Sequence, residues 1–129
     1  MLDYQKIEQA INRETTAGDF AKLMQEFQQL GVIAYDYLVA EGLYRYHDAD
    51  SFIDLQMNGI PTSVTNQGDR EKIKQAVTKA QASQITFTEF CELAGKAGIS
   101  YWQTDILAKT VTYYDLADKA LLIEPIPGI

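Results

Sequence analysis

The sequence predicts an α+β fold in which a helix-helix-β-meander unit is duplicated internally and contributes strands to an antiparallel sheet. Two observations predict this class. In each half of the chain, apolar residues recur first at helical spacing and then in alternation, with a glycine between the two patterns. A short motif of the first half also recurs in the second. At 129 residues, the chain is long enough to bury a core as a single domain (1–129) without disulfides or a structural metal.

The first half begins with two predicted helices. The first spans residues 2–14, and Asp19 is suited to cap a second helix that ends at Gly31. Glycine ends a helix well because it adopts a left-handed backbone conformation without steric cost. The apolar stripes of the two helices are Tyr4, Ile7, Ala10 and Ile11, followed by Phe20, Leu23, Met24, Phe27 and Leu30.

Three strands are predicted after Gly31, over residues 32–39, 43–47 and 51–56. The first two flank a short turn in which Gly42 supplies the positive φ that a tight hairpin needs. The order of elements in this half is therefore two helices, a glycine stop and a meander.

The second half repeats this order. Asp69 is suited to cap its first helix, and Thr86 to Glu89 read as a capping box that opens its second, which ends at Gly98. The residues expected to face inward are Ile73, Ala76, Val77 and Ala80, then Phe87, Phe90, Cys91, Ala94 and Ala97. The strands predicted after Gly98 are 99–107, 110–114 and 119–124.

The recurring motif is KIEQAI at 6–11, which returns as KIKQAV at 72–77, an offset of 66 residues. Chance convergence of common helix residues is the alternative to duplication. Further matches follow in the same order, with offsets that drift as short loop insertions would make them. They are Gly31 with Gly98 at 67, Tyr35 with Tyr101 at 66, and Tyr46 with Tyr114 at 68.

These matches divide the chain into a first pseudo-repeat at about 3–57, a linker at about 58–68 that contains glycine and proline, and a second pseudo-repeat at about 69–127. Each unit alone would have a thin core, which favours one domain over two.

Composition excludes several classes of function. The net charge of −7 disfavours nucleic acid, because binding phosphates requires a basic surface. Residues 1–65 carry −6 of that charge and residues 66–129 carry −1, so the first unit is the acidic one. An acidic decoy for a nucleic-acid-binding protein is one possible use of that surface, and solubility is the other. The start lacks a signal peptide and no stretch is apolar enough to span a bilayer, so we expect a cytoplasmic protein without a membrane partner.

The single histidine and the single cysteine are the first candidates for chemistry. His47 lies beside Asp48, Asp50 and Asp54, a combination that could bind a metal or orient a general base, although the spacing is not that of a calcium loop. The alternative is a solvated turn between strands. Cys91 lies on an inward helix stripe, where a thiol is inert. Phosphate-loop, dinucleotide and zinc-protease motifs are absent, so we predict no catalytic residue, no metal and no cofactor.

Tyrosine is the one enriched residue type, with eight in the chain and seven of them in predicted strands. An aromatic sheet face can bind a partner or a flat ligand, whereas the alternative is tyrosine packed against the helices as an ordinary strand residue. The candidate binding residues are Tyr35, Tyr44, His47, Tyr101 and Tyr113.

Residues 73–127 resemble a small uncharacterised bacterial family, some of whose members are labelled phage-envelope-like. The match covers the second half well and the first half loosely, and Tyr101-Trp102 departs from the family pattern. The resemblance implies no assigned activity and no catalytic residue, and the label does not imply a virion role. The residues that carry it are Ala80-Gln81, Ile85 to Cys91, Ala97 to Ile99, Val111 to Tyr114 and Glu124 to Pro127.

Two functions from different classes follow from these observations. The first is a cytoplasmic, non-enzymatic binding or protein-interaction module that forms a homodimer through its tyrosine-bearing strands. The second is a small-ligand sensor or an enzyme, with a pocket between the two units that uses His47 and nearby aspartates and tyrosines.

Overall fold

A computed structural model of the protein describes residues 5–6, 20–56, 59–82 and 84–125. The described residues form three helices and six strands around one sheet, which confirms the α+β class. The helices are α1 (Phe20–Gln29), α2 (Arg70–Gln81) and α3 (Phe87–Lys96). The strands are β1 (Ala34–Leu38), β2 (Leu43–His47), β3 (Phe52–Leu55), β4 (Ile99–Asp105), β5 (Thr110–Asp115) and β6 (Ala120–Pro125).

The six strands form one antiparallel sheet in the order β3-β2-β1-β4-β5-β6. The meander of each half forms three adjacent strands, and the two meanders join edge to edge through the pairing of β1 with β4. Asp36 lies opposite Gln103 at the middle of this central pair. The two halves therefore share a continuous hydrogen-bonded sheet, and its edges are β3 and β6.

The predicted helix starts of the second half are confirmed. The Asp69 carboxylate accepts a hydrogen bond from the Lys72 backbone N–H at 3.2 Å, and so caps α2. At α3, the Thr86 hydroxyl accepts from the Glu89 N–H at 3.1 Å, while the Glu89 carboxylate accepts from the Thr86 N–H at 3.0 Å. This reciprocal pair is the expected capping box.

The glycine stops are also confirmed. Gly31 follows α1 with φ of 91°, and Gly98 follows α3 with φ of 76°, so both adopt the left-handed conformation that favours glycine. The predicted helix at 2–14 lies outside the described residues except for Gln5 and Lys6, which are helical. The predicted cap at Asp19 also lies outside them.

The core lies between the helices and one face of the sheet, called here the helix-covered face. Phe27 of α1 packs edge-on against Tyr46 at 5.3 Å between ring centroids, and Phe90 of α3 packs edge-on against Trp102 at 5.2 Å. The other side of the sheet faces away from the described helices and is called the open face. The strand residues on the helix-covered face are Tyr35, Tyr37, Tyr44, Tyr46, Ile53, Leu55, Trp102, Thr104, Val111, Tyr113 and Leu122.

The segment from Gly59 to Asp69 overlaps the predicted linker and contains no helix or strand. Two of its backbone N–H groups donate hydrogen bonds to neighbouring elements: Thr62 to the Val39 carbonyl at 3.1 Å and Thr65 to the Gly95 carbonyl at 2.9 Å. The connection is therefore held against the end of β1 and the last turn of α3.

The strand register corrects two of the residue matches between the halves. Tyr35 lies on the helix-covered face, whereas Tyr101 lies on the open face, and Tyr46 and Tyr114 differ in the same way. Adjacent strand residues point to opposite faces, so a match that is one residue out of register exchanges the faces. An offset of 67 pairs Tyr46 with Tyr113, and both are buried on the helix-covered face.

Across the described part of the chain, no helix combines the length and the apolar character that crossing a membrane requires.

Candidate functional site

The five candidate binding residues divide between the two faces of the sheet. Tyr35, Tyr44 and Tyr113 lie on the helix-covered face, where their rings pack into the core. His47 and Tyr101 lie on the open face. The structure therefore brings none of the first three together with the other two.

The buried tyrosines are structural residues of the core. Tyr35 is 7% exposed, forms a side-chain hydrogen bond with Thr104, and packs against Phe27. Tyr113 packs edge-on against Phe90. Burial raises the pKa of Tyr35 to about 12, and burial is also the main cause of the raised pKa of Tyr113.

Tyr37 was not a candidate binding residue, yet its ring and its hydroxyl both contact other parts of the core. Its hydroxyl accepts a hydrogen bond from the Ile60 N–H at 3.1 Å and contacts the Cys91 sulfur at 3.5 Å. Its ring stacks on Trp102 at 4.6 Å. Cys91 is buried, and burial raises the pKa of its thiol, as expected of an inert cysteine.

The buried tyrosines predict a loss of stability at alkaline pH. Because the folded-state pKa of Tyr35 lies near 12 and its ordinary value is 10, its stabilising effect is complete below pH 10 and is lost as the pH rises through 12. The pKa values of Tyr37, Tyr44, Tyr46 and Tyr113 are raised in the same direction by burial. We expect phenolate absorbance near 295 nm to rise together with unfolding, as monitored by circular dichroism. Ionisation of these five tyrosines near pH 10 in a chain that stays folded would contradict this expectation.

His47 forms its hydrogen bond across the sheet, to a residue outside the predicted cluster. Its Nε2 lies 2.9 Å from Oδ2 of Asp36 on β1, and the two side chains are 29% and 14% exposed. Asp48 instead stabilises the turn after β2: its Oδ1 accepts hydrogen bonds from the backbone N–H groups of Asp50 at 2.8 Å and Ser51 at 2.6 Å. These turn bonds lower the pKa of Asp48.

Asp36 is the site residue that the sequence did not indicate. It is 11 residues away from His47, and the pairing of β1 with β2 brings them together. The one available signal is a carboxylate alternating with Tyr35 and Tyr37 in β1. Its second oxygen, Oδ1, is buried and has no hydrogen-bond partner among the described residues. A buried acceptor without a donor is costly, so this oxygen is a destabilising feature of the site.

Arg45 lies next to this pair on the open face. Its guanidinium binds Asp54 through two hydrogen bonds, Nε to Oδ1 at 2.9 Å and NH2 to Oδ2 at 3.2 Å. Its Cζ also lies 4.7 Å from the centre of the Phe52 ring, within range of a cation–π interaction. Arg45 and Asp54 are thus paired within the chain.

The other half of the open face is aromatic and uncharged at its centre. Tyr101 and Tyr114 stack at 4.7 Å with an angle of 15° between their rings. Burial and then the neighbouring Asp118 carboxylate raise the pKa of Tyr101 to about 12. Gln103 and Thr112 follow on the same face and lie directly opposite each other.

One row of six side chains crosses the whole open face and is called here the central row. Strand pairing sets its order as Asp54, Arg45, Asp36, Gln103, Thr112 and Ile123, one residue from each strand. The three residues on β3, β2 and β1 are charged, and the three on β4, β5 and β6 are not.

No cluster suited to a metal ion occurs in the part of the chain that the structure describes, where no three His, Cys, Asp or Glu residues come together at ligand distance. The His47–Asp36 pair contributes two such groups, one fewer than a protein site for zinc normally supplies.

A sequence-family model, described as a protein of unknown function (DUF1398), matches residues 8–125. The match leaves out the first seven and the last four residues of the chain. The chain belongs to this family. No curated protein sequence matches it.

The DUF1398 match spans both halves of the sheet, including all of the central row and the His47–Asp36 pair. The description names no substrate, ligand or partner, so no role is transferred from it to any residue. The two faces of the sheet are therefore the features that bear on function.

Proposed function

We propose that this DUF1398 protein is a non-enzymatic protein-interaction module that self-associates, and that the open face of its sheet is the contact surface. The observation that supports the proposal is the one-sided arrangement of the fold, because the described helices pack on one face only. The open face carries large apolar side chains near both edges: Phe52 is 55% exposed and Ile123 is 62% exposed. The same face carries the half-buried side chains of Leu38, Leu43, Tyr101 and Tyr114 as neighbours, and a contiguous apolar patch is a mark of an interaction site.

The strand order indicates how such a module would associate. The tyrosine-bearing strands are β1, β2, β4 and β5, and all four are interior. The edge strands β3 and β6 carry no tyrosine. Pairing of tyrosine-bearing edges is therefore not a route to the dimer, and we propose contact through the open face instead.

Three further proposals accompany this function. An internal duplication is supported by the strand order, in which both halves run outward from the centre as three consecutive strands. It is also supported by Gly31 and Gly98, which occupy equivalent places 67 residues apart. A cytoplasmic location is supported by the single cysteine, which is buried and free. A bacterial origin is supported by the resemblance of residues 73–127.

The experiment is a concentration series in sedimentation velocity with a charge placed at the centre of the open face. Thr112 is half-buried on that face of β5, so arginine at this position would project from the face of a single chain. We expect the wild type to form dimers between about 10 and 300 μM, the weak range that a small interface allows. T112R should be monomeric throughout that range, because each dimer would bury two unpaired charges.

The matched control is T88R, which makes the same change at an exposed position of α3. It should dimerise like the wild type, and both variants should keep the wild-type circular dichroism spectrum. A wild type that stays monomeric at 300 μM, or equal dimerisation of T112R and T88R, would refute contact through the open face.

The His47–Asp36 pair favours a small-ligand site as the second candidate function. The specific observation is the 2.9 Å contact between His47 Nε2 and Asp36 Oδ2, because both side chains remain partly exposed on the open face and offer polar groups to a ligand. However, the two halves meet at β1 and β4, which are hydrogen-bonded to each other, and His47 lies on β2, beyond that boundary. Because His47 is the only histidine, its ring resonances report binding directly. Methylguanidine and glucose, as a cationic and a neutral donor, are suitable probes.

A further inference from the structure

We propose that the partner on the open face is a second copy of this chain, stacked about a two-fold axis that runs parallel to the strands between β1 and β4. In this arrangement β1, β2 and β3 of each copy cover β4, β5 and β6 of the other. The inference rests on the proposed self-association and specifies its geometry. In the aligned class of sheet packing, stacked strands stay within about 30° of each other, and a two-fold axis then lies nearly parallel or nearly perpendicular to the strands.

The central row distinguishes these two axes by charge. A parallel axis places Asp36 over Gln103 of the second copy, Arg45 over Thr112, and Asp54 over Ile123. Every charged residue of the row then faces an uncharged one. A perpendicular axis would place Arg45 over Arg45, and both aspartates over their own copies. Like charges directly opposed across an interface are unfavourable, so the parallel axis is preferred.

A second row of open-face side chains lies next to the central row and runs from Leu43 and Leu38 to Tyr101 and Tyr114. Its apolar half is complementary to its aromatic half when two copies stack. The parallel axis places Leu38 over Tyr101 of the second copy, and Leu43 over Tyr114. Two apolar side chains of each copy would thus cover the stacked tyrosine pair of the other, and aromatic residues of this kind are enriched in interface cores.

A third row of open-face side chains lies on the opposite side of the central row, and stacking places no like charges of this row over each other. The same axis places His47 over Thr110 of the second copy, and Phe52 over Pro125. Ala34 lies over Asp105, whose carboxylate accepts a hydrogen bond from the Ala108 N–H within its own turn at 2.9 Å. The exposed Phe52 ring would therefore be covered by an apolar residue.

Stacking also leaves each charged side chain of the central row with a partner inside its own chain. Arg45 is bound to Asp54, and Asp36 is hydrogen-bonded to His47.

The area is at the lower limit for a specific interface. Six strands spaced at about 4.8 Å, with about five residues each at about 3.4 Å, give an open face on the order of 500 Å². Two such faces bury about 1,000 Å² in total, close to the minimum expected of a biological contact. The geometry therefore fits a weak dimer rather than a permanent one.

The experiment is cross-linking with a short bismaleimide, using two variants of the full chain that each add one cysteine, R45C and T112C. Stacked sheets lie about 10 Å apart, beyond the reach of a direct disulfide, whose Cα atoms lie within about 7 Å. The native Cys91 is buried, and the wild type serves as the control for its reactivity. We expect a mixture of R45C and T112C to give covalent dimers, because the parallel axis places these positions over each other. Each variant alone should give few covalent dimers. The parallel axis displaces each of the two positions from its own copy by about three strand spacings along the sheet, about 14 Å.

The outcomes separate the geometry from the proposed function. Cross-linking of T112C with itself would indicate the perpendicular axis and overturn this inference, while association through the open face would stand. A wild-type dimer in which neither the mixture nor either variant cross-links would overturn it as well. A wild type that is monomeric at 300 μM would remove the self-association and this inference together.

A second measurement uses the sign of the charge at one position. T112E places a carboxylate over Arg45 of the second copy, so we expect the dimer dissociation constant to fall about two- to tenfold. T112R should raise it. With a perpendicular axis Thr112 would face its own copy, and both substitutions would weaken the dimer equally. The inference is wrong if T112E weakens the dimer as T112R does.

Discussion

Replacement of Tyr37 by alanine is expected to cost about 3–5 kcal/mol of unfolding free energy, the range for removing a large buried aromatic side chain. Tyr37 has no solvent exposure and stacks on Trp102 at 4.6 Å, while Phe87 and Tyr44 pack edge-on against its ring. Small domains are stable by about 5–15 kcal/mol in total, so Y37A should lose a large fraction of the stability of the protein. Urea denaturation followed by circular dichroism measures the loss.

The matched control is Y101A, because Tyr101 is half-buried on the open face and has no helix packed over it. Its loss should stay below about 1.5 kcal/mol. Y37F isolates the hydroxyl: it removes the acceptor of the Ile60 N–H and should cost about 1 kcal/mol. Equal losses for Y37A and Y101A would show that Tyr37 does not hold the core together.

Replacement of Gly95 by alanine is expected to destabilise the protein by about 1–3 kcal/mol, the range for overpacking a close contact. This is the reverse of the usual effect, because alanine is favoured over glycine inside a helix by about 1 kcal/mol. A Cβ on Gly95 would collide with the backbone oxygen of Ser63 and lie 3.1 Å from Cγ2 of Thr62. The linker backbone must therefore move, and the hydrogen bond from Thr65 N–H to the Gly95 carbonyl would be strained.

The control for this contact compares alanine with glycine at position 92, which is exposed on α3 and so has no linker packed over it. E92A should be more stable than E92G, whereas Gly95 should be more stable than G95A. Thermal denaturation should show the two orders as melting temperatures that differ by several degrees in opposite directions. If G95A melts above the wild type, the linker does not pack on α3 as the structure shows.

The helices of the second half were predictable because their signals are local. The side chain of Asp69 bonds a backbone group three residues away, and Thr86 and Glu89 bond each other, so both starts could be identified from the spacing of residue types. The β2 strand matches its predicted range of 43–47, and β1 is shorter than predicted at both ends. Strand ends depend on pairing partners, which a single strand does not specify.

The candidate site was predictable only in part. His47 was recognised by its residue type, and its partner was expected among Asp48, Asp50 and Asp54, its neighbours in the chain. The structure pairs it instead with Asp36, because β1 and β2 are antiparallel and put Ala34 opposite His47, with Asp36 two residues further along the same face. Neither the pairing nor the unsatisfied Oδ1 of Asp36 follows from residue type or spacing.

The identity of the elements is a property of the sequence alone. Apolar spacing, helix caps and positive-φ glycines act over a few residues, so the α+β class, the helix stops at Gly31 and Gly98 and the acidity of the first half are all apparent from the residues. The sequence also divides the tyrosines into two sets, since alternate strand residues point to opposite faces of a sheet.

The tertiary structure decided what those faces contain. Long-range strand pairing put β1 beside β4, made β3 and β6 the edges, and aligned the central row with its charges on one half. The pairing of distant strands depends on the packing of the whole core, and a shift of one residue exchanges the two faces. For that reason the open face, and the self-complementary contact proposed for it, emerge only from the assembled sheet.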